Sequence, residues 1–122
     1  MVEQSAKVVA VWACKVGDRK RDNYIGQVYG ALKRHPEWFS NGPTVVAGDF
    51  NSNAIWDRER PHGNHSSVVE LMNRYGLVSA YHFYYNEAHG AETRPTSYLY
   101  RKEDRPFHID YIFIPKNGVA GR

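Results

Sequence analysis

Two apolar runs without helical spacing mark the first half of the chain. Residues 7–13, Lys-Val-Val-Ala-Val-Trp-Ala, are almost continuously apolar and rich in β-branched side chains, the pattern of a strand buried on both faces. Thr44-Val45-Val46-Ala47 is a second such strand, and Gly48 permits a tight exit from it. Between them Ile25, Val28, Tyr29 and Leu32 recur at helical spacing, which predicts an amphipathic helix over 23–34 with Asp22 as its N-cap. The charged stretch from Lys15 to Asp22 reads as a loop. Pro36 opens a turn, Glu37-Trp38-Phe39 reads as a short helical extension, and Asn41-Gly42-Pro43 breaks the chain before the second strand. Strand, helix, strand is the order of a parallel crossover unit.

The second half begins with a polar loop over 54–65. Asn64 is placed to cap a helix carrying Val68, Met72 and Tyr75, and Gly76 to end it. Leu77-Val78-Ser79-Ala80 reads as a short strand or the entry to one, and 85–95 as irregular. Thr96 to Tyr100 and Phe107 to Ile114 read as two strands of an antiparallel hairpin, joined by a charged turn from Arg101 to Arg105. The expected class is therefore α/β, with a mixed sheet and flanking helices. There is no internal repeat or interdomain linker.

Composition narrows the function classes only a little. The 122 residues make one domain, long enough to bury a core. Hydrophobic residues are 42% and charged residues 24%, as in soluble globular proteins. The net charge of +3 permits a phosphate-bearing substrate without requiring one. A lone cysteine, Cys14, rules out an internal disulfide and suits a reducing, cytoplasmic location. No apolar run approaches the ~20 residues of a membrane span.

Candidate chemistry concentrates in Gly48-Asp49-Phe50-Asn51-Ser52-Asn53, at the carboxyl end of the second strand, where open α/β sheets tend to bind ligands. In extended backbone Asp49 and Asn51 project to the same side, setting a carboxylate beside a carboxamide. The acid can activate a water and the amide can bind a phosphoryl oxygen. The same residues are also ordinary turn formers. In Phe107–Ile114, period two puts Phe107, Ile109, Tyr111 and Phe113 on one face and His108, Asp110, Ile112 and Ile114 on the other. An unpaired buried carboxylate costs on the order of several kcal/mol, so Asp110 needs a partner. His108 reads as a structural side chain filling the sheet edge.

Three other groupings are weaker. His62 and His65 are three apart, but no Cys or further acid is spaced to complete a zinc site. Trp56, with Arg58, Arg60 and His62, lies in the loop after the first motif. It can stack on a base or sugar ring, or simply pack under its own loop. Lys15, Arg19, Lys20 and Arg21 form a basic cluster that reads as a solvated loop, with phosphate contact as the sharper alternative.

Gly48-Asp49-Phe50-Asn51-Ser52, followed about sixty residues later by His108-Ile109-Asp110-Tyr111-Ile112-Phe113, resembles the endonuclease/exonuclease/phosphatase superfamily, the DNase I-like and apurinic endonuclease-like group. The resemblance spans residues 7–115 and matches the central-to-C-terminal part of a family domain. It implies a portion of a four-layer α/β/β/α fold with two sheets packed face to face. It also implies a divalent-metal-dependent phosphoesterase, of nuclease or phosphatase type, that hydrolyses a phosphoester by activated water with Mg²⁺ or Mn²⁺.

By resemblance Asp49 orients or deprotonates the attacking water, Asn51 binds a non-bridging phosphate oxygen, and Asp110 holds a catalytic histidine in its tautomer. Asp49 would contribute weakly to the metal. Thr96 resembles a supporting threonine of the penultimate strand, and Trp12, Trp56, Arg58 and Thr96 are the candidate substrate contacts. Trp12 stands where the family usually carries a His or Tyr, and indole can only donate one hydrogen bond.

The chain reads as a single partial domain over 1–122, without the family's N-terminal half, which carries the metal-binding Glu, and without its C-terminal Asp-His segment. Two outcomes follow: a phosphoesterase acting on a phosphate-containing substrate, for which mild basicity favours nucleic acid, or a truncated, non-catalytic module that self-associates or binds a partner chain. A sheet lacking its second layer leaves an apolar face open, so self-association or pairing with a completing segment is expected.

Overall fold

The computed structural model describes residues 5–98, 102, 104 and 106–118 of the chain. The two early apolar runs become β1 (Lys7–Trp12) and β2 (Thr44–Asp49), paired in parallel with Trp12 opposite Asp49. Between them lies α1 (Ile25–Arg34), which buries Ile25, Val28 and Leu32. Asp22 is not its cap: it pairs with Arg19 at 2.9 Å, and the chain enters the helix through Tyr24 at a φ of 51°. The helical extension is a 3-10 turn over Pro36–Phe39.

α2 (His65–Arg74) starts and stops where its capping residues demand. Asn64 Oδ1 accepts from Ser67 N at 2.9 Å, and Gly76 leaves the helix at a φ of 84°, a conformation glycine adopts without steric cost. The loop after β2 holds a 3-10 turn over Ala54–Glu59. Then come β3 (Leu77–Ser79), α3 (Ala80–Tyr85), β4 (Ser97–Tyr98), β5 (Pro106–Phe107) and β6 (Asp110–Pro115). β4 and β5 form their own two-stranded ribbon. Of the expected hairpin, residues 99–101, 103 and 105 lie outside the described residues.

The main sheet is mixed, in the order β1-β2-β6-β3, with β6 antiparallel to both neighbours. The expected single strand 107–114 is interrupted at His108 and Ile109. Thr96 Oγ1 accepts from the amides of Ile109 and Asp110 at 2.9 and 3.2 Å, taking those donors away from a ladder. The interruption resets the period: His108 is buried beside Tyr111 rather than sharing the face of Asp110.

Helices cover one face of this sheet. Val46, Phe50, Tyr111 and Phe113 pack there against Ile25, Val28 and Leu32 of α1 and Val68, Leu71 and Met72 of α2. Gly48 lies on that side, and a Cβ there would come within 2.0 Å of Val11 O. The opposite face carries Val8, Ala10 and Trp12 of β1, Val45, Ala47 and Asp49 of β2, and Asp110, Ile112 and Ile114 of β6. No described element covers it: Val8 is 69% exposed, Trp12 78% and Ile112 52%. β1 is therefore an edge strand buried on one side only, not on both as its composition suggests. An apolar run reports that a strand can be buried, but not whether a second layer is there.

Candidate functional site

Asp49 and Asp110 meet at one end of the open face. They are direct partners across β2 and β6. Phe50 N donates to Ile109 O at 3.0 Å, so by alternation Asp49 and Asp110 form a non-hydrogen-bonded pair, whose Cβ atoms lie about 4.5–5.5 Å apart. Both side chains are half-buried. Burial pushes the Asp49 carboxyl above its usual range and the charge of Asp110 adds to this, while the Asn51 amide opposes it.

Asn51 reaches the same corner by a different route from the one its spacing suggests. The strand ends at Asp49, and Asn51 has a φ of 47°, so the two do not project as alternate residues of one strand. Instead Asn51 N donates to Asp49 Oδ1 at 2.8 Å, an Asx-type turn. Asn51 Nδ2 donates to Ala13 O at 3.0 Å, which ties the turn to the end of β1. An amide nitrogen carries two hydrogens, so one donor remains for a ligand.

The expected substrate contacts fall on two sides of this corner. Trp12 lies beside Asp49 on the open face. Trp56 packs on Phe107, with ring centroids 5.1 Å apart, and also lines a cleft of about 220 Å³ with Asn51, Lys20, Asp57 and Arg60. Arg58 is exposed on the same 3-10 turn. Thr96 supports Asp110 through its backbone. In the basic cluster, Arg19 is ion-paired and Lys20 Nζ donates to Glu59 O at 2.8 Å. A larger open concavity of about 1010 Å³ borders Thr44, Gly76, Leu77 and Pro115, at the far end of β2 from Asp49. Asp49, Asn51 and Asp110 do not border it, so the chemistry does not follow the volume.

On the covered side the fold assembles a group that no spacing in the sequence announces. Asn53, 3% exposed, is its hub: Nδ2 donates to Glu92 Oε1 at 3.0 Å and to His108 O at 2.8 Å, and Oδ1 caps the following 3-10 turn at Ile55 N. Tyr111 OH lies 2.7 Å from Ser52 O and 2.9 Å from His108 O, so its single hydrogen is shared between the two carbonyls. Glu92 Oε2 lies 2.6 Å from His82 Nε2, and Ser79 Oγ 2.6 Å from His82 Nδ1. A second chain runs from Ser52 Oγ to His65 Nδ1 at 3.1 Å, then from His65 Nε2 to His89 Nδ1 at 2.9 Å.

Burial drives the titration of this group. It pulls His65 to about 4 and His89 to about 3, and it lowers His82, so all three imidazoles are neutral near pH 7. Burial opposes ionisation of Glu92, but hydrogen bonds from Asn53 and His82 outweigh it and hold the carboxyl at about 2. Burial likewise drives Tyr111 far above the usual phenol range.

Of these residues only His65 belongs to a pair that sequence spacing singles out, and its expected companion, His62, is exposed and takes no part. Polar residues inside apolar context, such as His82 directly after Leu77-Val78-Ser79-Ala80-Tyr81, are the sole local signal. No family model matches the chain, and no curated protein and no solved structure matches it.

Proposed function

We propose that the chain carries the central part of a metal-assisted phosphoesterase site of nuclease or phosphatase type, within one sheet of a DNase I-like sandwich. The supporting observation is the opposed carboxylate pair Asp49 and Asp110 at the end of an open sheet face, with Asn51 hydrogen-bonded to Asp49. Two adjacent half-buried carboxylates suit a hard divalent cation, and Asp49 and Asp110 would hold Mg²⁺ or Mn²⁺ with water and substrate oxygens completing the shell. The ion would neutralise charge on the phosphoryl group. Asn51 N engages Asp49 Oδ1, which leaves Oδ2 to accept a proton from the attacking water. The spare Asn51 Nδ2 hydrogen is free to bind a phosphoryl oxygen. Trp12, on the same face beside Asp49, can stack a base, which favours nucleic acid as substrate.

The test is hydrolysis of a generic phosphodiester and of abasic or nicked DNA with Mg²⁺ and with Mn²⁺. Activity that disappears in Asp49→Ala is expected, and equal turnover in both proteins overturns the proposal.

A second function, a non-catalytic module that self-associates or binds a partner chain, is favoured by one observation. Val8, Trp12 and Ile112 form an uncovered apolar face, and a sheet normally buries such a face against another layer. Sedimentation separates the two: concentration-dependent association supports the module, and a monodisperse monomer at all concentrations removes it.

A further inference from the structure

His82, His89 and Glu92 bring three potential ligand atoms close together. One ligand atom from each of the three lies within 4.8 Å of the others. In each case the second polar atom of the same side chain is already engaged. His82 Nδ1 faces Ser79 Oγ, which leaves Nε2. His89 Nδ1 faces His65 Nε2, which leaves its own Nε2. Glu92 Oε1 accepts from Asn53 Nδ2, Gly90 N lies within hydrogen-bond distance of both carboxylate oxygens, and Oε2 is turned toward His82. Outer hydrogen bonds of this kind fix the tautomer and aim the ligand atom in metal sites.

His108 supplies an independent observation. Its Nδ1 lies 2.7 Å from Arg94 O, so Nδ1 carries the proton and Nε2 the lone pair. That Nε2 is buried and has no hydrogen-bond partner, in a residue only 6% exposed whose ring lies 5.6 Å from that of His82. Buried polar atoms are almost always satisfied, so an unpartnered acceptor calls for a group beside it.

We infer that His82, His89 and Glu92 bind a zinc-type divalent transition-metal ion, with His108 beside the site rather than among its ligands. Two imidazole nitrogens and one carboxylate are a donor set for Zn²⁺ rather than Mg²⁺, which prefers oxygen. One carboxylate with otherwise neutral ligands leaves the ion attracted rather than balanced.

For His82 Nε2 to coordinate, the proton it shares with Glu92 must move to Nδ1, with the Ser79 hydroxyl turning from donor to acceptor. The rings of His82 and His89 are stacked at 3.6 Å and 15°, so their lone pairs lie in nearly parallel planes. Coordination therefore turns one ring out of the stack. Glu92 and His108 border a cleft of about 170 Å³ on one side of the group. The site lies on the covered side of the sheet, away from Asp49 and Asp110, and stands or falls independently of the phosphoesterase proposal.

The experiment uses the full chain stripped with chelator and titrated with Zn²⁺ by calorimetry, and with Co²⁺ by visible absorption. One equivalent of Zn²⁺, an intense tetrahedral Co²⁺ spectrum and a metal-dependent rise in melting temperature are expected. His89→Ala should weaken binding at least tenfold, and His62→Ala, an exposed histidine outside the cluster, should not. Should His89→Ala fail to fold, imidazole NMR of the unaltered protein decides. Zn²⁺ must shift the ring signals of His82 and His89 and abolish their mutual stacking. No stoichiometric binding, or binding that moves only the signals of His35 and His62, overturns the inference.

Discussion

Asn53→Ala tests whether the buried polar group is a structural hub. The substitution removes one amide that serves four partners. Its Oδ1 caps the 3-10 turn at Ile55 N, a role whose loss costs ~1 kcal/mol. Its Nδ2 satisfies Glu92 Oε1 and His108 O, and lies 3.3 Å from Tyr111 OH. Leaving a buried acceptor short of a donor costs about 1–3 kcal/mol. The low end applies to both acceptors, because Glu92 keeps its contacts with Gly90 N and His82, and His108 O keeps Tyr111 OH. The sum is ~3 kcal/mol, which lowers the melting temperature of a domain this size by ~12 °C. Urea unfolding followed by tryptophan fluorescence measures it. Asn53→Asp sharpens the result, since the shape and the cap survive but an acceptor replaces the donor that faced Glu92. It should destabilise more than the alanine variant. A loss below ~1 kcal/mol for alanine, or an aspartate variant as stable as the natural chain, would refute the hub.

Three further outcomes follow from other parts of the fold. Gly48→Ala forces a Cβ within 2.0 Å of Val11 O at a φ of 143°, so it should cost ~3 kcal/mol or more, read as a fall in the urea midpoint. Trp12→Lys removes ~150 Å² of apolar surface from the open face, worth up to ~4 kcal/mol per copy if a partner covers it. It should weaken any self-association at least tenfold in sedimentation and leave the melting temperature of the monomer unchanged. Tyr75 and Tyr111 both have phenols raised by burial. The folded chain thus holds these protons more tightly than the unfolded chain. The stability this contributes is complete below the ordinary phenol range, about 10, and is lost as pH rises through the folded values. Tyrosinate absorbance should show Tyr75 ionising above the ordinary phenol range and Tyr111 only as the chain unfolds in alkali, and a smooth single titration of every tyrosine would contradict this.

Much of the local structure was legible because its causes are local. Ile25, Val28 and Leu32 define the buried stripe of α1 by spacing alone, and Asn64 and Gly76 bound α2 by capping and by left-handed backbone. α3 was hidden because Ala-Tyr-His-Phe-Tyr-Tyr is rich in aromatics, which favour strands, and one turn and a half of helix shows little periodicity. The break at His108 and Ile109 was hidden because Thr96, twelve or more residues away, takes the amides that a continuous strand would need.

The candidate site divides in the same way. The sequence by itself determined that Asp49 stands at the end of a strand, that Asn51 lies two residues on, and that Asp110 lies within another strand; that this strand starts at Asp110 came only from the structure. Only the tertiary structure decided that Asp49 and Asp110 are direct partners, because register is set by which faces are buried, not by either strand alone. It also decided that β1 is covered on one side and, among the described residues, bare on the other. It alone gathers His65, His82, His89, Glu92 and His108 around Asn53. Their separations along the chain follow neither helical nor strand period, and contacts between distant segments exist only once the sheet and its helices have packed.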